Sequence, residues 1–199
     1  AYIAYDVGIK LADAIPYYMP LLAENEFLPD LDAIPEDIAQ KAKVMILNLP
    51  GNPVPATPSV EYFTQVVAFA KKYNILVLHD AAYSEYYFTG DKPISFLSVE
   101  GAKDVGLEIN SLSKSFSLAG ARIAYFIGNK TAIQILRQFK SNLDYGVFAP
   151  IQEAAITAFT HAEEITDRLR AIFSERHRIV MDGLRRLGWH ASPSNGGLF

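Results

Sequence analysis

Apolar positions along this chain follow two rhythms. Four short apolar runs are bounded by turn-forming or polar residues. Residues 43–48 (KVMILN) end in Pro50-Gly51-Asn52-Pro53, and residues 75–78 (ILVL) run into His79-Asp80. Residues 105–109 end at Asn110-Ser111, and residues 121–127 follow Leu118-Ala119-Gly120. Runs of this length between turn signals predict buried strands. The second rhythm is helical. Phe63, Val66, Val67, Phe69 and Ala70 predict a helix over 60–73, and residues 131–143 and 151–159 read the same way. A longer amphipathic helix spans 163–187, with Ile165, Leu169, Ile172, Phe173, Val180 and Leu184 as its stripe.

Apolar strands alternating with helices predict a three-layer α/β/α domain with a mainly parallel sheet. Residues 1–160 are expected to form this large domain. Residues 161–199 are read as a long linking helix and the beginning of a small α+β domain, with Trp189-His190-Ala191 as its strand. The chain opens on AYIAY and closes on Gly196-Gly197-Leu198-Phe199, the start of another strand, which predicts a piece of a longer protein.

In open α/β sheets, ligands sit beyond the carboxyl ends of the strands. The polar residues there are Asn52, Asp80, Tyr83, Ser111, Ser113 and Lys114. Composition narrows what they meet. A net charge of −4 with 20% charged residues argues against nucleic acid as the main partner. The absence of cysteine excludes disulfides and thiolate metal sites and fits a cytoplasmic setting. No apolar run approaches the roughly 18 residues of a membrane span. His161, His177 and His190 have no metal-ligand spacing.

Lys114 lies in SLSKSFSLAGARIAY, among serines and small residues. A lone lysine is usually a solvated surface residue. A lysine held in a close-packed site deprotonates more readily and becomes a nucleophile toward carbonyls. The serine hydroxyls and Arg122 suit phosphate oxygens. Together they suggest an aldehyde cofactor bearing a phosphate. Asp80 reads either as a cap for the next turn or as the partner of a protonated ring nitrogen. Tyr83 is either one of a tyrosine-rich patch or a donor to a phenolate oxygen. Asn52 serves either the turn or that same oxygen, and Ala82 is small enough to let a flat ring approach. His79 faces away from Asp80 by strand alternation and reads as a packed histidine.

The set Asn52-Pro53, Asp80-Ala81-Ala82-Tyr83 and Ser111-Leu112-Ser113-Lys114, followed by Arg122, resembles the fold-type I pyridoxal-phosphate enzymes. More narrowly it is similar to class I/II aminotransferases of the aspartate aminotransferase type. The resemblance implies that residues 1–160 form a cofactor-binding large domain, incomplete on its N-terminal side. Lys114 would form a Schiff base with pyridoxal 5'-phosphate and shuttle a proton at the substrate α-carbon. Asp80 would pair with the ring nitrogen, and Tyr83 and Asn52 would bond the ring oxygen. Ser111, Ser113 and Arg122 would hold the phosphate, while Ala82 and Tyr2 lie against the two ring faces. Asn142 and Tyr145 would lie near a neighbouring subunit's site in a homodimer. The expected partners are an amino acid and a 2-oxo acid.

The chain departs from the family's NPTG, reading Asn52-Pro53-Val54-Pro55. The family's glycine-containing phosphate loop, its tyrosine from the second subunit and its carboxylate-binding arginine fall outside residues 1–199. A β-elimination lyase and a non-catalytic ligand-binding domain remain as alternatives.

Overall fold

The computed structural model describes residues 2–88, 90–191 and 194–197. Helix α1 (Ile3–Leu11) is followed by an irregular stretch and α2 (Glu36–Lys41). Strand β1 (Val44–Asn48), helix α3 (Val60–Tyr73) and strand β2 (Leu76–Asp80) come next. The short helix α4 (Ala102–Val105) leads into β3 (Gly106–Ser111), and α5 (Leu112–Ser115) follows at once. Strand β4 (Ala124–Gly128) and helices α6 (Lys130–Leu143), α7 (Ala149–Thr160) and α8 (Ala162–Arg186) complete the order.

The sheet runs β1-β2-β3-β4. The first three strands are parallel, with Asn48 opposite Asp80 and Asp80 opposite Ile109. β4 is antiparallel to β3, pairing Ser111 with Ala124. The expected α/β fold with a mainly parallel sheet is therefore present.

Local chemistry sets the helix ends. Ser59 accepts the Tyr62 N–H at 3.2 Å to open α3, and Asn74, in the left-handed region, closes it. One face of the sheet is dry: Met45, Leu47 and Val77 pack beneath Phe63, Val66 and Ala70 of α3 and against Phe96. A smaller cluster joins Leu112 to Ala155 and Ala158 of α7, with Ile165 of α8 and Tyr125 of β4 against it.

Three expectations are corrected. The fourth strand begins at Ala124 rather than Ala121, because a 3-10 turn at Ala119–Ala121 and a left-handed Arg122 (φ 51°) interrupt extension. Trp189-His190-Ala191 is not a strand. The Trp189 N–H returns to the Leu184 carbonyl at 3.0 Å and the Gly188 N–H to Arg185 at 3.1 Å, a Schellman closure of α8. No neighbouring strand meets 189–191 among the described residues; the bridge that does form pairs Gly196 with Tyr87. The α8 stripe is used in part, since Phe173 packs on Tyr86 with ring centroids 4.7 Å apart while Val180 is exposed. The strand start expected at 196–199 lies at Leu198 and Phe199 outside the described residues. Among the described residues no helix is long and apolar enough to cross a membrane.

Candidate active site

Because β1, β2 and β3 run parallel, their carboxyl ends share one edge of the sheet, and that edge carries Asn48, Asp80 and Ser111. The antiparallel β4 starts at the same edge. The Leu112 N–H donates to the Ile123 carbonyl at 3.2 Å, which brings the preceding Arg122 beside the Lys114 segment.

Asp80 ends β2 with both carboxylate oxygens engaged. Oδ1 accepts the Ala82 N–H at 3.0 Å, and Oδ2 accepts the Tyr5 hydroxyl in a short hydrogen bond. Burial first, and then the Asp80 charge, push the Tyr5 phenol well above its ordinary range, so Tyr5 stays a donor. Tyr2, largely exposed, meets the Tyr5 ring edge-on at 5.8 Å. Tyr5 was not a candidate from the sequence. Its spacing from Tyr2, three residues along a helix, places both on one face and was the available clue.

Asn48 ties the turn bearing Asn52 to the Asp80 strand. Its amide donates to the Asp80 carbonyl at 3.1 Å, and its Oδ1 accepts the Asn52 N–H at 3.2 Å. The turn is so tight that a Cβ on Gly51 would lie 2.3 Å from the Asn48 carbonyl oxygen, so only glycine fits. Asn52 itself is exposed at the edge.

Lys114 sits in α5, whose first turn is capped by Ser111, the Oγ accepting the Ser113 N–H at 3.2 Å. The Lys114 Nζ stands over the half-buried Tyr83 ring, 5.8 Å from its centroid. Tyr86 fixes the lysine backbone by donating its hydroxyl to the Lys114 carbonyl at 2.8 Å. Ser113 is buried. Arg122 is exposed, and its guanidinium donates to the Ala119 carbonyl at 3.0 Å.

The edge thus gathers Asn52, Asp80, Ala82, Tyr83, Ser111, Ser113, Lys114 and Arg122, with Tyr2 one ring beyond Tyr5. Asn142 and Tyr145 are not drawn in. The Asn142 amide is spent on the Gln138 carbonyl at 2.7 Å within α6, and Tyr145 stands fully in solvent.

An amine, a carboxylate, a phenol, an amide, two hydroxyls and a guanidinium on one sheet edge fit a phosphate-bearing aldehyde with a basic ring nitrogen. Among the described residues no group of three metal-binding side chains is assembled.

Comparisons with known proteins give the family. Residues 1–199 match the family model described as aminotransferase class I and II, whose members depend on pyridoxal phosphate. An LL-diaminopimelate aminotransferase from Gloeobacter violaceus is 49% identical over 189 residues, covering 95% of this chain and 48% of that protein. One from Syntrophobacter fumaroxidans is 45% identical over 190 residues, covering 96% of this chain and 49% of the relative. The substrate-bound structure of BacF from Bacillus subtilis superposes with a TM-score of 0.95 at 39% identity, covering all of this chain and 50% of BacF. This chain therefore spans about half the length of the curated relatives it matches. A family model matched from first residue to last, on a fold and a lysine site already assembled, makes the chain a member of the class I and II aminotransferases.

Proposed function

We propose that the full-length protein moves an amino group between an amino acid and a 2-oxo acid, as an aminotransferase of the aspartate aminotransferase type. The observation that carries this reading is the Lys114 amine over the Tyr83 ring, with the Asp80 carboxylate at the neighbouring strand end.

Pyridoxal phosphate, when bound, supplies an aldehyde and an electron sink. The chain's own residues supply the rest. Lys114 offers the amine that bonds a carbonyl carbon and, once freed, moves a proton at the substrate α-carbon. Asp80, held by the Ala82 N–H and the Tyr5 hydroxyl, keeps a proton on a ring nitrogen. Tyr83 and Asn52 donate toward a phenolic oxygen. Ser111, Ser113 and Arg122 take phosphate oxygens, for which Arg122 must leave the Ala119 carbonyl. Ala82 and Tyr2 would lie against the two faces of that ring.

LL-diaminopimelate, named in the relatives above, is the first substrate to test. We read residues 161–199 as the link into a second, smaller domain, and the working protein as a cytoplasmic homodimer.

The test is spectroscopic. The full-length protein incubated with pyridoxal phosphate develops a visible absorption band that Lys114→Ala lacks. Adding LL-diaminopimelate or glutamate then bleaches that band as amino transfer proceeds. Lys114→Ala lowers the transfer rate on the order of 1,000-fold or more. Absence of a lysine-dependent band overturns the reading. Release of ammonia and pyruvate from a β-substituted amino acid replaces it with a lyase.

A further inference from the structure

Directly behind Asp80, on the dry face of the sheet, lies a charged network that the proposed chemistry does not use. His79 is 1% exposed and Glu108 5% exposed. They face each other in register across β2 and β3. His79 Nδ1 lies 3.2 Å from Glu108 Oε2, and His79 Nε2 lies 2.6 Å from the Leu49 carbonyl. The Glu108 carboxylate also accepts the Ser95 hydroxyl at 2.6 Å and the Asn110 amide at 3.0 Å. Phe63 and Phe96 wall the imidazole, with ring centroids at 5.1 and 6.2 Å.

We propose that His79 is a positioning residue that bolts the Asn52 turn to the Asp80 strand, its Nε2–H donating to the Leu49 carbonyl on one side and its Nδ1 meeting the Glu108 carboxylate on the other. The Leu49 carbonyl can only accept, so Nε2 is the donor there and Nδ1 is turned to the Glu108 carboxylate. Glu108 is the charged group that touches it among the described residues. Burial pushes the Glu108 carboxyl up, but hydrogen bonds from His79, Ser95 and Asn110 outweigh it and hold the group below its ordinary range. Tyr125 also feels that charge; burial and then Glu108 push its hydroxyl up, so it remains neutral.

Stability alone does not account for the pair. A buried imidazole–carboxylate pair loses hydration that an apolar ring in the same aromatic cage would not need. What the pair provides is geometry. Leu49 is the last residue before Pro50-Gly51-Asn52. Asn48 anchors that turn at the sheet edge, and His79 anchors it from below. Asp80, next to His79 in β2, and Asn52, beyond Leu49, are thereby held in one frame. This role deepens the cofactor-binding reading and rests on it.

Two measurements on the full-length protein test it. Nitrogen-edited NMR of the imidazoles finds a His79 proton on Nε2, the nitrogen that meets the Leu49 carbonyl; a ring protonated on Nδ1 alone overturns the proposal. This arm needs no cofactor, so it stands apart from any failure of the aminotransferase reading. In the second arm, His79→Phe fills the cage without donors, and His79→Gln retains an amide donor. His79→Phe weakens pyridoxal phosphate binding ten- to a hundredfold, on the order expected for a misplaced turn, and His79→Gln recovers part of it. Wild-type cofactor affinity in His79→Phe overturns the positioning role, as does a loss that follows Tm alone across both variants.

Discussion

Helices α3 and α6 are each 14 residues long, each amphipathic and each opened by a side-chain cap, Ser59 for one and Asn129 for the other. Their fates differ. α3 buries Phe63, Val66, Val67 and Ala70, while α6 buries nothing and presents Ile135, Phe139 and Leu143 at 63–66% exposure. The same local code therefore makes both helices, and only one of them is covered. Tertiary contact, rather than propensity, separates them. The division also runs through the site. Asp80 and Asn48 end β2 and β1, the strands whose other face carries the buried cluster around Phe63 and Phe96. Arg122 leads into β4, which continues into α6 on the thinly covered side.

The sharpest way to break this comparison is at Phe63. Phe63→Ala removes a fully buried ring that packs on His79 and Phe96 and costs about 3–5 kcal/mol, read as a fall in Tm or in denaturation midpoint. A cost under about 1 kcal/mol would mean that the α3 side is as loosely held as the α6 side. Tyr5→Phe is next. It deletes a hydrogen bond to a carboxylate, a contact of about 1.5–3 kcal/mol, and cofactor affinity falls about tenfold as Asp80 loses its orientation. Unchanged affinity, measured by titrating the visible band, would remove Tyr5 from the site.

Acid separates the two sides as well. The Glu108 carboxyl is held below its unfolded value, so its contribution is complete above about pH 4.3. It is lost as pH falls further, through the folded value. Thermal unfolding followed from pH 6 downward shows an acid limb that Glu108→Gln flattens, and an unchanged limb would exclude the pair as its source. Cap deletions should be nearly blind to the division. Ser59→Ala costs about 1 kcal/mol, and Asn129→Ala costs about as much or slightly more, since Asn129 also donates to the Asp104 carbonyl at 2.8 Å.

What the sequence conveys follows the same line between local and distant causes. α3 was legible from its stripe, and β2 from a short apolar run ending in a polar pair. That Lys114, Asp80 and Tyr83 lie at the carboxyl edge of the sheet was legible because a strand end and the turn after it are local. The direction of β4 was not, since an apolar run reads alike in either sense. Tyr5 escaped because its partner lies 75 residues away. The strand expected at 189–191 failed for a related reason. A strand exists only with a neighbour, and the closure at Gly188 turned the chain back on its own helix.

The smallest predicted effect discriminates most about coverage. Phe139 is 63% exposed on a helix with no buried residue. In the 199-residue chain, Phe139→Ser removes little buried area, and surface changes of this kind stay within about 0.5 kcal/mol. The same substitution in the full-length protein asks whether residues outside this chain cover α6. Burying a phenylalanine there would raise the cost toward the 3–5 kcal/mol of a core ring. Thermal unfolding of both pairs gives the answer directly. A small cost in each leaves α6 a solvated helix, and a small cost in the short chain with a large one in the long chain makes its apolar face an interior surface. A large cost in the short chain would contradict the exposure of Phe139 and with it the contrast between α3 and α6.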